Sequence, residues 1–206
     1  AIQGQWEYIK EKCAIIPDVK FEETEVITMP LKPENMDDVA ITDFGIPSLK
    51  NFSFGARSRF NPNPTHGHIW FSPVLPRTGE AIYESNKLFI DTAKEFDVPL
   101  MFPFLMPAAT WEHSLMAIFG FGISEDPEAN KKTRMVFSEL IKRCADKGWG
   151  EYRTGVIFQD EVMEGYSFNN NILRKFLESI KDAIDPNGIL SPGRYGIWPK
   201  KLRDRK

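Results

Sequence analysis

From residue 68 onward, apolar positions fall into alternating strand-like and helical runs. His68–Leu75 is aromatic and strand-like. Glu80–Phe96 has helical spacing, with Ile82, Phe89, Ala93 and Phe96 on one stripe. Pro99–Met106 and Glu112–Phe121 are apolar runs that read as two strands. Asp126-Pro127 is a helix start, with Asp as cap and Pro at the first helical position. That helix is predicted to reach Lys147, with Val136, Leu140 and Cys144 aligned, and Gly148 ends it. Glu151–Phe158 reads as a last strand.

The predicted order is strand, helix, strand, strand, helix, strand, the split βαβ or ferredoxin-like order. It predicts an α+β fold, an antiparallel sheet with two helices on one face. Upstream, Gln5–Cys13 reads as a short helix with Trp6, Ile9 and Cys13 on one side. Residues 17–64 are broken by Pro and Gly, and Arg59–Thr65 is a loop by its Asn-Pro repeats. Downstream, Asn169–Ile184 reads as a helix with Ile172, Phe176, Ile180 and Ile184 four apart. Asp185–Gly188 is a turn by composition, and Ile189–Trp198 reads as an ordered, extended tail.

Composition adds little until the aromatics. With 206 residues, 42% hydrophobic and 27% charged, the chain has an ordinary globular balance. A net charge of -3 gives no reason to expect nucleic acid or an anionic membrane. No apolar run is long enough to span a bilayer. Ala1–Gly4 lacks both the basic start and the apolar core of a signal peptide, and the C-terminal residues are not a peroxisomal tripeptide. A cytoplasmic location is therefore expected. Absence of an initiating Met suggests a fragment or a processed subunit. Cys13 and Cys144 are too few for a disulfide framework or a metal cluster. The 16 Phe, 5 Trp and 5 Tyr point to a core or a pocket rich in flat surfaces, without choosing between them.

Several residues could carry chemistry. His66 and His68 lie two apart on one side of a strand and could join His113 at a metal, but no Asp, Glu or Cys accompanies them at ligand spacing. Two partly exposed histidines are the plainer reading. His68, Trp70 and Ser72 share a strand face, where a His-Trp wall suggests a pocket or a surface buried by another domain. Tyr152 and Arg153 set a phenol beside a permanent cation, a pair suited to an oxyanion. Alone, the plainer reading is a buried Tyr and a surface salt-bridging Arg. Neighbours on a strand point to opposite faces unless the backbone is irregular. Arg194 projects from a turn fixed by Pro192 and Gly193. Asp160/Glu161 and Asp182/Asp185 read as solvated helix faces. Phe119–Gly122 lacks the spacing and Lys of a phosphate loop.

Three segments together carry a resemblance: Gly67–Pro73 (GHIWFSP), Trp149–Thr154 (WGEYRT) and Asp185–Pro199 (DPNGILSPGRYGIWP). The chain resembles the C-terminal portion of the vanillyl-alcohol oxidase and 4-cresol dehydrogenase family of flavoproteins. The third segment marks the wider FAD-linked oxidases, and the Tyr-Arg pair narrows it to the branch acting on para-substituted phenols.

The resemblance implies that residues 1–163 are an incomplete cap domain. Residues 164–206 would be a C-terminal segment packing on an FAD-binding domain outside this chain. It implies that His68 is bonded covalently to FAD; the cresol dehydrogenase branch has Tyr there, which sets this chain nearer the oxidases. Tyr152 and Arg153 would hold the substrate as phenolate, with Arg153 also near the flavin. Arg194 would stabilise the reduced flavin, and Trp70, Leu100 and Ser114 would line the pocket. Ser114 departs from the apolar residue usual in the family. The implied reaction is hydride transfer from the benzylic carbon to flavin N5 through a quinone methide. The acceptor would be oxygen or a cytochrome, and the enzyme a homo-oligomer. The competing expectation is a non-catalytic ferredoxin-like module that binds a partner through its aromatic face.

Overall fold

A computed structural model of the chain describes residues 2–21, 67–100, 106–110 and 113–203. The expected loop at 59–65, His66 and most of the irregular stretch before it lie outside the described residues. Residues 1–48 and 49–206 form two compact units. In the first, helix α1 (Ile2–Cys13) starts a few residues earlier than its periodicity suggests, and Trp6 meets Phe21 edge-on with ring centroids 6.0 Å apart.

The second unit holds the sheet. Strand β1 (Gly67–Phe71) and strand β2 (Val74–Pro76) both pair antiparallel with strand β4 (Ser114–Ile123). Their register is continuous, since Phe71 lies opposite Phe119 and Val74 opposite Met116. The expected strand 68–75 is thus one line, interrupted at Ser72-Pro73, where Pro73 has no N–H to give a ladder. Strand β3 (Met106–Thr110) pairs on the other edge of β4, with a register shift between Pro107 and Ala109. Of the strand expected over Pro99–Met106, Leu100 makes one isolated bridge to Phe121, residues 101–105 lie outside the described residues, and regular pairing starts at Met106.

The predicted final strand is the main correction. Glu151 makes a single bridge to Pro73, and the chain then bends and coils into a 3-10 turn (Val156–Phe158) and helix α4 (Gln159–Gly165). The split βαβ order survives, with its fourth strand shrunk to that one bridge. Glu151–Phe158 has strand-forming residues but meets only the short interrupted stretch at Pro73, so pairing cannot propagate.

Helices α2 (Gly79–Glu95) and α3 (Pro127–Asp146) cover one face of the sheet. Thr78 and Asp126 cap them, accepting from Ala81 N at 3.2 Å and Glu128 N at 2.9 Å. Gly148 ends α3 at φ 76°, the left-handed conformation in which Gly is unstrained. The core beneath is aromatic. Phe71, Phe89, Phe119, Phe121, Phe137 and Phe158 are fully buried, with Phe89 on Phe119 at 3.7 Å and Phe137 on Phe158 at 4.1 Å between ring centroids. The excess of Phe therefore builds the core.

Helix α5 (Phe168–Ile184) follows α4, and short helix α6 (Lys200–Arg203) closes the described chain. The four-apart stripe Ile172, Phe176, Ile180 and Ile184 is exposed, and seen against the described residues α5 buries none of its own. The tail between α5 and α6 folds back onto α4. Tyr195 N donates to Gln159 Oε1 and Trp198 Nε1 to Asp160 Oδ1, each at 2.8 Å. Gly196, at φ 71°, lies so close to Met163 that a Cβ would stand 2.7 Å from the Met163 Cβ. The expected domain boundary at residue 163 falls inside α4.

The acidic pairs read as solvated faces are mostly structural. Asp182 takes a two-pronged pair from Arg203 at 2.8 Å on each oxygen, and Asp185 is buried. Asp185 accepts from Ile189 N and Leu190 N at 2.9 Å and pairs with Lys181, whose hydrogen bond holds its carboxyl down at about 2.

Candidate functional site

The site is built where the fourth strand gives out. Val74 N donates to Gly150 O and Tyr152 N to Ser72 O, each at 2.8 Å. Past Glu151 the chain bends through Tyr152 and Arg153, so the backbone there is irregular as the pair requires. Both side chains are exposed, and the Arg153 guanidinium lies 5.3 Å from the centroid of the Tyr152 ring. Freed from strand alternation, a phenol and a fixed cation meet on one side. Beside them Thr154 Oγ1 is buried and has no hydrogen-bond partner among the described residues.

Ser72, anchored by Tyr152, continues the strand that carries His68 and Trp70. Those two rings meet edge-on with centroids 5.0 Å apart. Register puts His68 opposite Gly122 and Trp70 opposite Gly120. The Phe-Gly-Phe-Gly run is therefore no phosphate loop but a two-faced strand. Phe119 and Phe121 enter the core opposite Phe71 and Ile69, while on the other face the rings of His68 and Trp70 have only glycines opposite them. Alternation of Phe with Gly was the readable signal.

Other expected residues are dispersed. Ser114 shares the parity of Gly120 and Gly122 but sits at the far end of β4, eight residues from Gly122, or about 27 Å at the usual strand rise. The structure does not bring it to His68. Leu100 is partly buried against the core cluster. Arg194 stands exposed on a 3-10 turn (Arg194–Gly196), 5.1 Å over the Tyr195 ring. Among the described residues, no cluster of His, Cys, Asp and Glu could hold a metal. No helix there is long and apolar enough to cross a membrane.

Sequence reasoning passed over Glu151. The residue is 8% exposed, Oε1 accepts from Ser72 N at 3.2 Å, and Oε2 has no partner among the described residues. Burial pushes its carboxyl up to about 7, against the smaller pull of the Ser72 hydrogen bond. It lines a cavity of about 320 Å³ with Phe71, Ile141, Cys144, Trp149 and Tyr166. Burial pushes the Cys144 thiol up to about 12, so it stays a neutral, inert group.

Known proteins resemble this chain. No protein-family model matches it. It is 28% identical over 153 residues to the 4-cresol dehydrogenase [hydroxylating] flavoprotein subunit of Pseudomonas putida, covering 74% of this chain and 27% of that protein. It is 24% identical over 168 residues to 1'-carboxy-chondrochloren decarboxylase of Chondromyces crocatus, covering 75% and 30%. Among solved structures, 4-ethylphenol oxidase from Gulosibacter chungangensis, in complex with isoeugenol, superposes with a TM-score of 0.78 at 30% identity, over 98% of this chain and 38% of that one. A p-cresol methylhydroxylase with substrate bound superposes with a TM-score of 0.60 at 26% identity, over 75% and 28%. The chain thus spans less than two-fifths of the length of each relative.

Proposed function

The chain is a homologue of the flavoproteins that include vanillyl-alcohol oxidase and p-cresol methylhydroxylase, and on that footing we propose that it is part of an FAD-dependent enzyme oxidising para-substituted phenols. Its α+β unit corresponds to the cap domain of those proteins. The observation that carries the reading is the Arg153 guanidinium over the Tyr152 ring at the end of a strand.

Tyr152 donates a hydrogen bond to the phenol oxygen of the substrate, and Arg153 fixes a positive charge beside it. Together they favour the phenolate, whose charge pushes electrons toward the benzylic carbon and lowers the barrier to hydride loss. FAD, when bound beside these residues, would supply the hydride acceptor, at its N5. The substrate is left as a quinone methide, to which water adds to give an alcohol, or which loses a proton to give an alkene.

The residues present fit such a cofactor. An imidazole and an indole stand over two glycines, suited to a flat ring, with His68 as the covalent attachment point and Trp70 as a wall. Arg194 supplies a second fixed cation for negative charge on the ring. The exposed apolar stripe of α5 is the surface on which residues 164–206 meet the FAD-binding part. Vanillyl alcohol, eugenol and 4-alkylphenols are the substrate class, the assembly is a homo-oligomer, and the acceptor is oxygen or a cytochrome.

Two measurements test this. Intact mass of the denatured holoenzyme should exceed that of the polypeptide by one FAD, and an unmodified mass would rule out the His68 linkage. Anaerobic mixing with a 4-alkylphenol should bleach the flavin absorbance. Flavin that stays oxidised ends the phenol reading, and reoxidation with oxygen against a cytochrome then names the acceptor.

A further inference from the structure

We propose that Glu151 is the positioning residue of the Tyr152–Arg153 pair: its buried carboxyl clasps the Ser72 peptide and so holds the pair in place against the strand that carries His68 and Trp70. This rests on the reading of Tyr152 and Arg153 as a phenol-oxygen site.

Both ends of Ser72 are taken by consecutive residues. Its N–H donates to Glu151 Oε1 at 3.2 Å and its carbonyl accepts from Tyr152 N at 2.8 Å. Beyond these, the fourth strand is held to its neighbour by the Val74–Gly150 hydrogen bond at 2.8 Å. So short a ladder is weak, and the side-chain clasp adds the contact that fixes where the bend begins. Without it a buried Ser72 N–H loses its acceptor.

The carboxyl is a poor choice for stability alone. Its second oxygen has no partner among the described residues and lies in a mostly apolar cavity, where an aliphatic side chain of similar volume would be satisfied. What the carboxyl adds is an acceptor aimed at one peptide.

The surroundings make the clasp sensitive to pH. From α3, Cys144 faces it as a neutral thiol, and Lys147 at the helix end is engaged by Glu84 at 2.8 Å. After α4, the Tyr166 hydroxyl faces it, raised by burial and by Glu151 itself. On its own segment, Arg153 is exposed over Tyr152. Among the described residues, no salt bridge neutralises it. Burial therefore keeps it protonated up to about 7, and above that a charge enters the apolar cavity and loosens the clasp.

The test uses flavin-loaded enzyme titrated with 4-chlorophenol, a phenol with no benzylic hydrogen, and reads the flavin absorption spectrum. Glu151→Gln keeps the shape and the acceptor but does not titrate. The ratio of wild-type to Glu151→Gln dissociation constants cancels the ionisation of the phenol. It should be near unity at about pH 6 and rise roughly tenfold by about pH 8.5. Glu151→Leu should bind weakly at every pH while remaining folded, with only the modest loss of melting temperature that a stranded Ser72 N–H brings. Wild-type affinity in Glu151→Leu, or a flat ratio across pH, overturns the positioning role. If wild type itself does not bind 4-chlorophenol, the phenol reading falls, and the positioning role with it.

Discussion

The ring of Tyr166 fills the space where a Cβ on Gly150 would stand, with Tyr166 Oη and Cζ both inside contact distance of that point. Gly150 is therefore required by its neighbour, not by its backbone angle. Gly150→Ala should expel the ring of Tyr166 and destabilise by about 1–3 kcal/mol in denaturant unfolding. In a Tyr166→Ala background the same change should cost little. An additive double-mutant cycle would count against the contact.

Tyr152 and Arg153 are exposed, so replacing them should leave the fold intact. Tyr152→Phe and Arg153→Ala should each lower turnover by roughly 10²–10³-fold, in line with the loss of one preorganised oxyanion donor. Arg153→Lys keeps the charge but loses the planar fork and should fall between. Steady-state kinetics beside thermal melts check this, and a matching loss of melting temperature would mean a structural role.

Two carboxyls pull the pH dependence of stability in opposite directions. Glu151 has a raised native value, about 7 against 4.5, so the native state holds a proton that the unfolded state releases. Stability should fall as pH rises from about 4.5 to about 7, by about 3 kcal/mol, and Glu151→Gln should remove that slope. Asp185 is depressed to about 2 from 3.8, so its contribution is present above 3.8 and is lost as pH falls toward 2. Asp185→Asn should flatten that acid limb. Denaturant melts across pH on the three proteins read both slopes.

Gly196 combines φ 71° with Met163 Cβ and Gln159 O at 2.7 and 3.0 Å from the place of a Cβ. Gly196→Ala is strained in both respects and should cost about 2–4 kcal/mol, freeing the tail from α4. Limited proteolysis should then cut near residues 189–199 first. Unchanged resistance would show that the tail is held elsewhere.

The elements that were legible in sequence are those whose information is local. Asp126-Pro127 and Gly148 bracket α3 because a cap and a left-handed Gly act within a few residues. Glu151–Phe158 was not legible as a coil because strand propensity is blind to the partner, here a stretch broken by Pro73. The four-apart stripe of α5 declared an apolar face but not what covers it. Asp160 and Asp182 looked solvated because Trp198 and Arg203, their partners, arrive by a fold-back invisible to charge patterning. In the site, the Tyr-Arg pair and the His-Trp wall were readable as residue types. Glu151 was not, since nothing local distinguishes a buried acid from a surface one.

The fold-back of the tail fixes what can move. Arg194 rides on a turn bolted to α4, α4 packs on α3, and α3 lies on the sheet whose edge presents Arg153. The two guanidiniums thus belong to one mechanical piece, like two studs on a single plate. The backbone positions that carry them are tied together by that packing.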